Sequence, residues 1–81
     1  MEKNCYAIKD TVTGEFDDPF YMKNNGEAVR ALRAGVNSSQ ETKLSKFAND
    51  LALYSLGSLD TQTGVFVSKV EFVCNAVDLK E

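Results

Sequence analysis

Tyr6 and Ile8 alternate with smaller or polar neighbours in "CYAIK", the period of two that marks a strand with one buried face. A second strand follows in "EFDDPFY", where Pro19 cannot donate to a ladder and therefore points to a sheet edge. The period then changes. In "NNGEAVRALRAGVN", Val29, Leu32 and Val36 fall at i, i+3 and i+7, the buried stripe of a helix. Asn24 is placed to cap its free amides, and Glu27, three residues later, to complete a capping box. Gly35 and Asn37 are termination signals, and Arg30 and Arg33 point away from the stripe. A shorter helical turn is read in "ETKLSKFAND", with Leu44 and Phe47 inward and Lys43 and Lys46 outward. Period two returns in "LALYSLGSL" and "VFVSKVEFVCNAV". In the latter, Phe66, Val70, Phe72, Cys74 and Ala76 are assigned to one face and Val65, Val67 and Val73 to the other.

Two of the breaks between these segments are nearly the same heptad: "DTVTGEF" at residues 10–16 and "DTQTGVF" at residues 60–66. An aspartate at the start of a turn accepts from backbone amides two residues on, and glycine at the end supplies the positive φ of a type I turn with a G1 bulge. Each heptad therefore predicts a hairpin. The order is ββα(α)ββ, an α+β domain spanning residues 1–81. The expected architecture is a four-stranded antiparallel sheet with one helix packed on one face and a short second helical turn near 42–48.

Composition narrows the chemistry. With 81 residues there is room for one modest core, and no apolar run reaches the roughly 20 residues of a spanning helix. The start "MEKNCYAIKD" does not read as a signal peptide, so a soluble protein is expected. Cys5 and Cys74 lack the spacing of a redox or zinc motif and are expected to be reduced and packed. The chain has no histidine, which excludes histidine triads and histidine zinc sites, and no phosphate-binding glycine loop occurs. Asp17 and Asp18 beside Asp10 and Glu15 are better read as edge-protecting charge than as a metal site. The expectation is a protein that is not an enzyme and needs no metal or cofactor.

Charge is unevenly placed. Net charge is −3, yet residues 21–48 hold Lys23, Arg30, Arg33, Lys43 and Lys46 against only Glu27 and Glu41. These five cations are the candidate nucleic-acid or partner contacts. Phe16, Phe20 and Tyr21 sit on the candidate edge strand where aromatics can stack on unpaired bases, and Phe20 and Tyr21 are the base-stacking candidates chosen from them. Val65, Val67 and Val73 with Leu51 and Leu53 are a candidate homodimer patch on the face the helix leaves uncovered.

"CYAIKDTVTGEF", "EAVRALRAGVN" and "DLALYSLGSLDTQTGVF…KVEFVCNAVDL" together resemble the small nonstructural protein of gokushoviruses, single-stranded DNA phages of the microvirus group. "LYSLGSLDTQTG" and "VEFVCNAVDL" are the most specific parts, while "SKFAND" departs from the pattern. The resemblance implies a protein of the infected cell's cytoplasm that is not part of the virion. It implies a role in switching replication from double-stranded intermediates to single-stranded DNA for packaging, through phage DNA (single-stranded in the favoured case) or through phage or host replication proteins, without a membrane. Two other classes stay open. One is an acidic inhibitor or DNA mimic of a host protein, using Asp10, Glu15, Asp17 and Asp18; the other is a dimeric scaffold.

Overall fold

Strand β1 (Glu2–Asp10) runs through the middle of a sheet, because its alternating pattern buries Tyr6 and Ile8 on one side while Cys5 and Ala7 are small enough to be buried on the other. In a computed structural model describing residues 1–81, β1 is flanked by its own hairpin partner and by β4 (Leu51–Asp60), which in turn pairs with β5 (Phe66–Asn75). All pairings are antiparallel. The partner of β1 is two short strands, β2 (Glu15–Phe16) and β3 (Phe20–Met22), interrupted where Pro19 removes a donor. The edge position read from Pro19 is thus observed, but the strand is split. The architecture is the α+β sheet and helix expected from the pattern.

Both heptads are hairpin turns built alike. The Asp10 carboxylate accepts from the Val12 and Thr13 amides at 2.9 and 3.3 Å, and Asp60 accepts from Gln62 and Thr63 at 2.8 and 3.3 Å. Gly14 and Gly64 both have φ +78° and donate to the Asp10 and Asp60 carbonyls at 2.8 Å. The first threonine of each copy does more than favour strand. Thr11 donates through its amide and hydroxyl to the Asp50 carbonyl, at 2.8 and 3.0 Å; Thr61 does the same to Met1, both at 2.9 Å. Asp50 precedes β4 and Met1 precedes β1. Each turn therefore fastens the incoming end of the strand beside it.

Helix α1 (Asn25–Val36) begins at Asn24, whose side chain accepts from the Glu27 amide at 2.9 Å. Glu27 accepts from the Lys23 amide at 3.2 Å, one residue earlier than a strict capping box requires. Ala28, Leu32 and Val36 form the buried stripe, with Val29 on its flank. They pack on Tyr6, Ile8, Leu51 and Leu53, and the Tyr6 hydroxyl donates to Asn25 Oδ1 at 2.6 Å. Short helix α2 (Lys43–Lys46) is capped by Thr42 and lays Leu44 on Gly35, where a Cβ would stand 2.5 Å from Leu44 Cδ1. Phe47, expected inward, is exposed, and the smaller Ala48 takes the buried place at the start of a 3-10 turn. A second 3-10 turn (Ala76–Leu79) closes the core with Ala76 and Leu79. The Asn37 amide side chain donates to the Leu79 carbonyl at 2.9 Å and so ties that turn to the helix end. No helix is long and apolar enough to cross a membrane.

The assignment of faces along β5 fails because the strand is not regular. Register shifts lie between Leu53 and Tyr54 and between Ser55 and Gly57. Cys74 pairs with Leu53 on the helix side, but Phe72 pairs with Tyr54, which also pairs with Ala7 on the opposite side. Phe72 and Cys74, assigned to one face, are on opposite ones, since an extra residue reverses the alternation beyond it. The expected dimer patch fails with it: Leu51 and Leu53 are core residues under α1, and Val73 packs against that core.

Gly57 marks a bulge in β4, at φ +143°. A Cβ there would collide with the Val67 carbonyl oxygen, whereas Gly14 and Gly64 face open space. Gly14→Val and Gly64→Val should each destabilise by about 1–2 kcal/mol or more, through backbone conformation alone. Gly57→Ala should cost more than Gly14→Ala because a steric clash adds to the strain. Urea unfolding followed by circular dichroism ranks the three, and a Gly57→Ala variant of wild-type stability would contradict the bulge.

Candidate nucleic-acid or partner interface

The cations of residues 21–48 do not converge. Lys23 precedes α1, and Lys43 and Lys46 lie on α2, which packs near the other end of that helix. The 12-residue helix places about 18 Å between these groups. Arg30 and Arg33 are exposed between them, because they lie off the Ala28–Leu32–Val36 stripe. Lys43 is engaged, its ammonium 3.0 Å from the Asp17 carboxylate; Lys46 lies 5.6 Å from the Phe47 ring centroid. Lys23, Arg30, Arg33 and Lys46 form no direct ion pair, so four cationic groups on the helix side are free to meet a partner. Asp17 and Asp10 are already in use, the first on Lys43 and the second on its turn.

The two stacking candidates point in opposite directions, as consecutive strand residues must. Phe20 pairs with Tyr6, stacks on its ring at a centroid distance of 6.1 Å and packs against the core. Tyr21 pairs with Cys5 and faces away from the helix. It lines a cleft at the β3 edge with Glu2, Lys3, Lys23 and Glu27.

The uncovered face of the sheet holds the aromatics that reading single strands could not bring together. Phe16 meets Tyr54 edge-on at 5.4 Å between centroids, and Tyr54 meets Phe72 at 5.7 Å. Lys9 Nζ lies 5.4 Å from the Phe16 centroid and 5.5 Å from that of Tyr54. These residues come from β2, β4, β5 and β1, so their proximity depends on strand order and register.

Cys5 and Cys74 are free thiols. Cys5 is buried beneath the uncovered face, and half-buried Cys74 sits near Arg33 and Asp78. Burial pushes the Cys74 thiol up, Asp78 pushes it further, and Arg33 pulls it partly back. Because the thiolate is the nucleophile, Arg33→Ala should slow alkylation of Cys74 at fixed pH and Asp78→Asn should speed it. Mass spectrometry after timed iodoacetamide treatment checks both directions. Equal rates in the two variants would misplace Arg33.

Against known proteins, the model of the family described as "Phage ORF5 protein" matches residues 3–79. No curated protein and no solved structure matches. With nearly the whole length covered, the chain belongs to the Phage ORF5 protein family.

Proposed function

We propose that this phage protein is a non-enzymatic accessory of genome replication, from a gokushovirus or a near relative in the microvirus group. It binds DNA or the replication-initiation complex in the host cytoplasm and helps shift synthesis from double-stranded intermediates to single-stranded genomes for packaging. It is not part of the virion. Family membership and the motifs "LYSLGSLDTQTG" and "VEFVCNAVDL" support the phage setting. The observation that carries a polyanion or acidic partner is the charge on the helix side. In a chain of net charge −3, Lys23, Arg30, Arg33 and Lys46 stand without ion-pair partners. The DNA-mimic reading loses ground by the same bookkeeping, since Asp10 and Asp17 are committed within the protein.

A homodimer belongs to the proposal. Beyond the helix the β4–β5 ribbon exposes Val65 and Val67, which a second copy would cover. Light scattering should report a mass near twice the chain's 8.9 kDa at high micromolar concentration. A monomer there removes the dimer from the scheme.

Fluorescence anisotropy with labelled oligonucleotides tests the DNA reading. Binding should weaken with salt, with a slope set by about two to four phosphates per subunit. Arg30→Ala with Arg33→Ala should lower affinity and flatten that slope while leaving the melting curve unchanged, because both side chains are exposed. If wild type binds no DNA at low salt and the double variant still loses function in infection, the basic side serves a protein partner.

A further inference from the structure

We infer that the uncovered face of the sheet is a stacking platform for single-stranded DNA, built from Phe16, Tyr54 and Phe72 with Lys9 and Lys3 as phosphate contacts. The inference rests on the DNA reading above, but it places the contact on the side of the sheet opposite α1.

Four observations support it. First, the register sets two adjacent rows on this face, Phe16 opposite Lys9 opposite Ala52 and Ala7 opposite Tyr54 opposite Phe72, so Phe16 reaches Tyr54 on the diagonal. Tyr54 and Phe72 lie on paired strands about 4.8 Å apart and meet at 5.7 Å, whereas Phe16 and Tyr54 flank β1 and their rings meet over it at 5.4 Å. Second, the rings stand on a solid floor. Cys5, Ala7 and Ala52 are 3%, 0% and 2% exposed and are not part of the core under α1. Their small side chains let the aromatics lie over them. Third, the rings are reachable: Phe16 is 41% and Phe72 55% exposed, and Tyr21 on the same face is 46% exposed. An edge-to-face contact uses at most one face of one ring, so apolar ring surface remains available to a base.

Fourth, charge is sorted between the two faces. Every carboxylate within a strand lies on the helix side: Glu2 pairs with Asp60, Asp10 with Glu15, and Glu71 with Ser55, which pairs with Tyr6. Lys3 and Lys9 lie on the other side. Around Lys9 an acidic protein thus presents a sheet face with a cation, aromatics and no strand carboxylate, Glu2 approaching only its Lys3 edge, and this complements a phosphate backbone carrying splayed bases. The same sorting disfavours an occupant that brings only apolar surface, because such an occupant would bury Lys9 without a counter-charge.

A stacking platform and a purely phosphate-binding surface differ in one measurable way. Bases paired within a duplex cannot reach the rings, whereas a surface that binds phosphates alone favours the denser charge of the duplex. Wild type should therefore bind a 12-nucleotide oligothymidylate more tightly than a duplex of the same length. The chain has no tryptophan and three tyrosines, so tyrosine fluorescence should fall as the oligonucleotide titrates in, a change that phosphate contact does not cause. Phe16→Leu and Phe72→Leu keep an apolar side chain at half-exposed positions. Each should weaken single-strand binding roughly 5- to 100-fold and leave duplex binding and melting temperature unchanged. Lys9→Gln should reduce the salt slope by about one charge.

Equal wild-type affinity for single strand and duplex, lost only in the Arg30/Arg33 double variant, would overturn the platform and leave the DNA reading standing. No binding to either nucleic acid would overturn both. Unchanged single-strand affinity in a Phe16→Leu/Phe72→Leu double variant would overturn the platform, as would a wild-type dimer that this variant converts to monomer while neither form binds the oligonucleotide.

Discussion

The antiparallel ladder between β1 and β4 is the constraint on which the rest depends. It joins Glu2 to Asp60 at one end and Asp10 to Leu51 at the other, so each central strand begins where the other turns. The two D-T-x-T-G turns are fastened at those corners. Their aspartates satisfy amides within the turn, and Thr11 and Thr61 reach across to the carbonyls of Asp50 and Met1. A small domain has little core with which to hold a register. Here polar bonds at both ends of the ladder set it, while Tyr6, Ile8, Leu51 and Leu53 hold the middle. The near-repetition of seven residues follows from one joint being needed twice.

The α1 stripe, the hairpins, the edge marked by Pro19 and the helical turn at Lys43–Lys46 could all be read from the sequence, because each is written in local periodicity or in turn chemistry. What could not be read was whatever depends on a residue out of step. The shifts beside Tyr54 and Gly57 leave no local mark except Gly57 itself, and glycine in a strand signals a bulge without saying which faces it exchanges. Simple alternation therefore gives Phe72 the wrong neighbours. The row of Phe16, Tyr54 and Phe72 was hidden for a related reason: its members are far apart along the chain and meet only through strand order. Phe20 shows the converse. Its place beside Tyr21 suggested a shared surface, yet the strand's own alternation separates them.

The sheet divides the molecule's chemistry in two. On the helix side lie the core, the strand carboxylates and the cations of α1 and α2; the other side carries the aromatic row and two lysines. A net charge of −3 conceals this arrangement, because a sum over the chain says nothing about which side of a sheet 4.8 Å strands present to solvent.

The order in which the chain is made adds a consequence of the central ladder. β1 is synthesised well before its principal partner, which lies at residues 51–60. Until that partner exists, β1 can pair only with β2 and β3, and a small hairpin alone is marginally stable in water. Pairing across so long a separation carries a loop-closure cost before it yields any burial, which places the committing step of folding late. The nascent N-terminal half must then wait with Tyr6 and Ile8 uncovered, and the ribosome's release of β4 sets the moment at which the sheet can close.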